Sequence, residues 1–266
     1  MTEESRLTQE TGNRFDDFFV EPAYLTLKNH LYNYRVRKRA VRERLPRQGE
    51  GMTLEVGSGI SPISPATDRT VFTELSFSAL RCLKAGQGAG HYVVADATRL
   101  PFKEGVFHGA VCSEVLEHIR DDLEAIGQMA SVVENGGRLI VTFPHRRDFF
   151  AVDDRFVGHH RRYELPEMIG LLEKSGLRIL SVGKVLGPLE KLTMWSVAAF
   201  LTVIPSVGRS SAAAGIGRRP PAGLVKAFDL INRLYAGLAR IDARIAPLRL
   251  AMVLLVVAEK PRHTGG

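Results

Sequence analysis

Five positions in the first half of this chain put acidic or hydroxyl groups at the ends of short apolar runs. They are Glu55 in LEVGSG, Glu74 in TVFTEL, Asp96 in HYVVAD, and Ser113 and Glu114 in GAVCSEV. Gly57 and Gly59, with Ser58 between them, allow a tight turn and close approach of a ligand to the backbone. A dinucleotide fingerprint would need a third glycine opening a helix, whereas this chain has Pro62 and then Pro65. The turn is therefore not built to seat a pyrophosphate on a helix N-terminus. At the strand end, Glu55 can meet a positive ligand group. Glu74 can accept both hydroxyls of a ribose, and Asp96, followed by Ala97, can take an exocyclic amine such as that of adenine. Each residue also has a plainer use: the glycines in packing, Glu74 as a cap for a helix near Ser76, Asp96 in an Asx-turn. Their joint occurrence in order favours a ligand with a ribose, an adenine and a positive charge over NAD.

A second set of residues lies after the fourth and fifth apolar runs. It comprises Glu117, His118, His145, Asp153, Asp154, His159, His160, Arg161, Arg162 and Tyr163. A histidine pair followed by two arginines can bind phosphate or carboxylate and supply a base. It can equally be a surface loop capping the segment that follows. From this set His118, His145, His159, His160, Arg162 and Tyr163 are the candidate catalytic residues. The spacing of these histidines and carboxylates suggests no metal site.

The elements that must position these groups follow from the hydrophobic pattern. Leu27–Leu45 has helical spacing and stops before Pro46. From Met52 the runs MTLEV, TVFTEL, HYVVAD, GAVCSEV, GRLIVTFP and RILSVGKVL read as strands. Ser76–Lys84, Asp121–Glu134 and Leu165–Lys174 read as helices between them. Such alternation predicts an α/β fold with a parallel sheet covered on both faces, and ligands at the carboxyl ends of its strands. After Leu186 the rhythm changes. Leu189–Ile204 is an apolar helix candidate, Pro205–Pro221 a loop, Leu224–Ile245 a basic amphipathic helix and Leu250–Glu259 a last strand. The expected organisation is a lead-in and basic helix over 1–48, a core over 49–188, a helical insertion over 189–247, and a last strand and tail over 248–266.

LEVGSG, the strand ending at Glu74, ADATRLPFKEGVFHGAVCSEVLEHI and ENGGRLIVTFP resemble, in that order, the motifs of class I S-adenosylmethionine-dependent methyltransferases. The resemblance is nearest to the methyltransferase type 11 group, which includes ubiquinone and menaquinone methyltransferases. It spans about Met52–Val185, with Leu250–Glu259 as the final strand. It implies a Rossmann-like, seven-stranded, mostly parallel sheet with an antiparallel last strand, and S-adenosylmethionine as cofactor. By the same resemblance Glu55, Gly57 and Gly59 line the methionine part, Glu74 holds the ribose, Asp96 and Ala97 the adenine, and Ser58 and Leu75 belong to the same cofactor-binding set. Ser113 and Glu114 would lie beneath the sulfonium. Ser61 stands where many relatives have a third glycine, and two prolines fall between Gly59 and Val71, so the first helix is expected to be truncated or replaced by a turn. The run GHHRRYELPEMIGLLEKSGLRI resembles a segment of relatives that act on glycan- or lipid-linked substrates.

Charge and hydropathy bear on the acceptor. The net charge of +7 is uneven: Lys28–Arg47 carries +7, Pro205–Arg249 carries +6, and the remainder −6. Leu192, Met194, Trp195, Val197, Phe200, Leu201 and Val203 would make one helix apolar on nearly all faces, which must be buried in protein, in a partner or in lipid. Arg209, Arg218, Arg219, Arg233, Arg240 and Arg244 follow it. An apolar helix with a basic rim suits an anionic membrane surface or a lipid-facing lid; a helical pair packed on the sheet or in a dimer is the competing expectation. The start of the chain has no apolar signal region, the stretch Leu192–Gly208 is broken by Pro205, and Cys82 and Cys112 form no CxxC pair. These point to a cytoplasmic, peripherally membrane-associated protein. The reading is methyl transfer to a small, apolar or lipid- or glycan-linked acceptor. A non-catalytic S-adenosylmethionine-binding module and a nucleic-acid methyltransferase are the alternatives. The second lacks an Asn/Asp-Pro-Pro-Tyr/Phe motif, since TFPH at Thr142–His145 lies elsewhere, so nucleic acid is the disfavoured partner.

Overall fold

The computed structural model describes residues 28–45, 50–151, 154–155, 158–194 and 222–262. The lead-in before residue 28, Asp153, the greater part of the expected apolar helix from Trp195 onward, and the loop Pro205–Pro221 with its arginines lie outside the described residues.

Seven strands form one sheet: β1 (Thr53–Val56), β2 (Thr70–Glu74), β3 (His91–Val94), β4 (Phe107–Ser113), β5 (Val133–Pro144), β6 (Arg178–Leu186) and β7 (Val253–Glu259). Their order is β3-β2-β1-β4-β5-β7-β6. β1 to β5 pair in parallel, whereas β7 runs antiparallel to both β5 and β6. The expected α/β class and the antiparallel last strand are both present.

Alternate side chains of each central strand enter opposite cores. Leu54, Val56, Ala110, Cys112, Leu139, Val141, Leu254 and Val256 pack against helices α3 (Asp122–Val132) and α4 (Leu165–Lys174). Val111, Ile140, Leu255 and Val257 face helices α1 (Tyr32–Arg42) and α5 (Ala222–Ile245). Helix α2 (Phe77–Gln87) begins at Ser76, whose side chain accepts from the Ala79 amide, and covers Phe72 with Leu80 and Leu83. α4 starts with Pro in its first turn and a capping box between Glu164 and Glu167, so local chemistry fixes its N-terminus.

Two features place the site. Residues 57–69 contain no helix, as the prolines require. They are held instead by α1: the Tyr34 hydroxyl donates to the carbonyls of Ser61 and Pro62, and Arg42 Nε to that of Ile63. α1 in turn packs along α5 and β6, so the basic N-terminal helix and the inserted helix share one face of the sheet. Residues 189–194 are helical.

Candidate active site

The carboxyl ends of β1, β2 and β4 converge on the glycine turn. Gly57 and Gly59 both have positive φ, +69° and +54°, and a Cβ on Gly57 would lie 2.4 Å from Val115 Cγ2. The turn after β1 is thus pressed against the turn after β4. There Glu114 itself has a φ of 54°, a backbone conformation that costs a non-glycine residue energy and clusters at functional sites. Glu74 reaches over from β2: Oε2 accepts from the Gly59 amide at 2.9 Å, and Oε1 from the Leu75 and Ser76 amides. Ser113 Oγ meets Thr142 Oγ1 at 2.8 Å, and that hydroxyl donates to Glu114 Oε1 at 3.1 Å. Asp96 stands exposed at the end of the β3 segment, with Ala97 half-buried beside it. Its Oδ1 closes an Asx-turn on Thr98.

Glu55 requires a correction. It is 3% exposed, and its two oxygens accept from the Ile63 and Ser64 amides at 2.7 Å each. The carboxylate is consumed in holding the loop that replaces the first helix, so it does not face a ligand. Burial raises its pKa, against the two amide bonds and Lys38.

Charge counting does not reveal that cations of the N-terminal segment, Lys28 in the 3-10 turn before α1 and Arg37 on α1, lie beside this acidic rim. Lys28 Nζ lies 3.8 Å from the Cβ position of Gly59. Its pKa is pushed down to about 8 by burial and then by Arg37, against the raising influence of Glu74. Arg37 Nη1 is 3.4 Å from Glu114 Oε2. Glu74 and Glu114 therefore have cationic neighbours from a segment that charge counting alone reads as a solvated helix.

Beyond Glu114 opens a cavity of about 150 Å³, lined by Asn33, Arg37, Asp154, His159, Arg162 and Lys191 with an apolar wall that includes Leu186, Met194 and Met252. It neighbours the glycine turn but is not lined by Gly57, Gly59, Glu74 or Asp96. Its volume falls short of the roughly 300 Å³ at which small-molecule pockets begin, and α1 contributes Asn33 and Arg37 to its lining.

The catalytic candidates divide. Asp154, 1% exposed, accepts from Arg162 Nε at 2.8 and 2.9 Å and meets His159 Nδ1 at 2.8 Å. Burial alone would raise its pKa, but His159, Arg162 and the Ala151 amide together hold it at about 2. His159 Nε2 points back to Glu117 Oε1 at 3.7 Å, and the rings of His118 and His159 meet edge-to-face at 4.7 Å. Burial and then His159 push the His118 pKa down to about 4. Glu117, His118 and His159 offer three ligand atoms within 4.8 Å of one another. Sequence spacing could not show this, because the third member comes from a separate loop.

The other three candidates are not part of that group. Tyr163 is fully buried, and its hydroxyl donates toward Asp122 Oδ2 and the Leu116 carbonyl. Burial and Asp122 raise its pKa, so it is a core pillar and not a proton donor to substrate. His145 is 4% exposed, with Nδ1 on the Ala251 carbonyl at 3.0 Å, and joins β5 to the segment before β7. The His160 side chain is exposed, while its amide donates to the Glu117 carbonyl. Tyr163 and His145 thus serve as internal struts of the fold, whereas the His160 side chain turns to solvent.

Residues 54–141 match the family model described as a methyltransferase domain. Over 110 residues the chain is 34% identical to demethylmenaquinone methyltransferase of Mycobacterium marinum, covering 37% of this chain and 48% of that protein. The chain therefore spans about half the length of this relative. Among solved structures, phosphoethanolamine N-methyltransferase 2 of Haemonchus contortus superposes with a TM-score of 0.57 at 14% identity, over 95% of this chain and 61% of that one. The [4+2]-cyclase SpnF does so with a TM-score of 0.57 at 20% identity, over 85% and 80%. Geranyl diphosphate C-methyltransferase of Streptomyces coelicolor gives 0.55 at 12% identity, over 85% and 77%. At these identities the structural likeness establishes fold alone, and a cyclase among them shows that this fold is not bound to one reaction. The family match runs from β1 to β5 and includes the glycine turn, so residues 54–141 are similar to a methyltransferase domain, set in a seven-stranded Rossmann-like sheet.

Proposed function

We propose that this protein transfers a methyl group from S-adenosylmethionine to a small, apolar or lipid- or glycan-linked acceptor. The observation that carries the reading is Glu74 poised over the Gly59 amide at the ends of β1 and β2, inside the stretch that matches the methyltransferase domain. The residues fit such a cofactor electrostatically. The carboxylates of Glu74 and Glu114 suit a sulfonium and an α-ammonium, and Lys28 and Arg37, which lie beside them here, would turn aside to admit these groups. Glu74 would turn to the ribose hydroxyls, Asp96 would take the adenine amine with Ala97 and Leu75 beside it, and Ser113 and Glu114 would lie near the donor centre. The cofactor supplies the methyl on a sulfonium. The chain aligns the acceptor and excludes water.

Calorimetry tests the cofactor half. Glu74→Ala and Asp96→Ala should each weaken S-adenosylmethionine binding by about 1.5–3 kcal/mol, the worth of a hydrogen bond to a charged group. Unchanged affinity in both variants refutes the assignment. Label from the methyl group remaining on the cofactor in the presence of a lipid extract would favour the binding-module alternative.

The acceptor half draws on two observations. The cavity combines Arg37, Arg162 and Lys191 with an apolar wall, which suits an acidic or phosphorylated head on an apolar body. On α5, Leu224, Ile231, Leu238 and Ile245 recur every seven residues with Leu234 and Ile241 between them, and each is 56–78% exposed. No helix among the described residues is long and apolar enough to cross a membrane. Such a row rimmed by Arg233, Arg240 and Arg244 fits peripheral contact with an anionic bilayer. Ile231→Glu with Leu238→Glu should abolish pelleting with phosphatidylserine vesicles and leave the melting curve unchanged. Undiminished pelleting removes the membrane reading.

A further inference from the structure

Glu117 sits in the 3-10 turn Leu116–His118 directly after β4, fully buried. Neither carboxylate oxygen has a hydrogen-bond donor. Isolating a carboxylate this way is costly unless a proton or a cation is supplied.

Two imidazoles are arranged around it. His159 Nδ1 lies 2.8 Å from Asp154 Oδ1, which fixes the proton on Nδ1 and turns the lone pair of Nε2 toward Glu117 Oε1, 3.7 Å away. His118 Nδ1 lies 3.3 Å from the Gly158 carbonyl, and the same tautomer places its lone pair on Nε2. Each ring thus meets a carboxylate or a carbonyl through one nitrogen, the outer-sphere arrangement that orients histidines toward metals. Asp154 is in turn fixed by Arg162 on both oxygens.

We propose that Glu117, His118 and His159 form a three-ligand site for a single divalent first-row transition metal ion, Zn²⁺ fitting this set best. Two imidazoles and one carboxylate make the ligand set of an open zinc site, with the remaining position left for water or substrate. The ligand atoms lie within 4.8 Å of one another. Zn–N and Zn–O bonds of about 2.0–2.1 Å would bring them to roughly 3.3 Å apart, so side-chain rotation of about an ångström closes the site. His159 lines the cavity beside Glu114 and Arg162, so the open position would face the place assigned to the acceptor. A bound ion would neutralise Glu117 without protonating it.

The competing arrangement is metal-free: a protonated His159 bridging Asp154 and Glu117. Titration distinguishes them without cofactor or substrate, so its outcome is independent of the methyl-transfer reading. Untagged full-length protein, stripped by chelation, would be titrated with Co²⁺ by visible absorption and with Zn²⁺ by calorimetry. One saturable equivalent is expected, with the absorption of a four- or five-coordinate cobalt centre. Glu117→Gln and His118→Ala should each weaken binding at least tenfold. Asp154→Asn should weaken it about 10–100-fold, as loss of an outer-sphere partner does. Zn²⁺ should raise the melting temperature of the wild type and not that of His118→Ala, which removes a half-buried ring and is the variant least exposed to misfolding. Absence of a saturable equivalent of either ion overturns the proposal. So does binding that persists unchanged in folded His118→Ala and Glu117→Gln.

Discussion

Replacing Asp154 with alanine is expected to remove about 3–5 kcal/mol of folding stability, the usual loss when one partner of a buried ion pair is deleted. Asp154 is 1% exposed and Arg162 8%, so water does not screen the guanidinium once this carboxylate is gone. The same deletion releases the Ala151 amide, which donates to Asp154 Oδ2 at 2.9 Å, and the His159 ring. Three anchors of one loop are lost together. Asp154→Asn keeps the volume and one acceptor oxygen and should lose a smaller part of that stability. Urea unfolding reads both; an alanine variant within about 1 kcal/mol of wild type would show that the pair is not what holds the loop. Because this loop supplies the His159 and Arg162 wall of the cavity, turnover should fall in step. S-adenosylmethionine affinity should stay within about twofold, since Gly59, Glu74 and Asp96 belong to other strand ends. A parallel loss of cofactor affinity would mean that the two halves of the site are not separable.

The strands of the core were legible because buried parallel strands read as uninterrupted apolar runs, and MTLEV, TVFTEL and GRLIVTFP sit on β1, β2 and β5. The helix Leu165–Lys174 was legible to the residue because its capping signals are local. The absence of a helix after β1 followed from Pro62 and Pro65. What sequence could not give was orientation. The stretch Lys28–Arg47 carries a charge of +7, but counting charges does not reveal that Lys28 and Arg37 turn inward onto Glu74 and Glu114. Glu55 and Tyr163 had the residue types of ligand and catalyst. Only the fold shows the first tied to the Ile63 and Ser64 amides and the second to Asp122. The neighbourhood of Glu117 and His159 depends on a long-range contact between the turn after β4 and the loop before α4, and no local spacing encodes that.

The largest effect on the cofactor side is expected from one methyl group, in Gly57→Ala. Its Cβ would meet Val115 Cγ2 at 2.4 Å and Cγ1 at 2.9 Å, on a backbone held at φ +69°. A left-handed conformation costs alanine about 1–2 kcal/mol, and overpacking a close contact adds about 1–3 kcal/mol. The combined loss of about 2–5 kcal/mol can be relieved only by moving Val115. That residue adjoins Glu114 and opens the 3-10 turn that carries Glu117 and His118, so the displacement travels from the cofactor turn into the acceptor side. Where that loss falls on the binding-competent turn, S-adenosylmethionine binding should fall by at least about thirtyfold. The double variant Gly57→Ala with Val115→Ala separates the two causes. It removes the two clashing methyls, leaving Val115 Cβ at 3.2 Å and the backbone strain, so it should recover about 1–3 kcal/mol relative to the sum of the single variants, the signature of residues in direct contact. Simple additivity would show that Val115 is not the obstacle, and that the glycine is required for its backbone conformation alone.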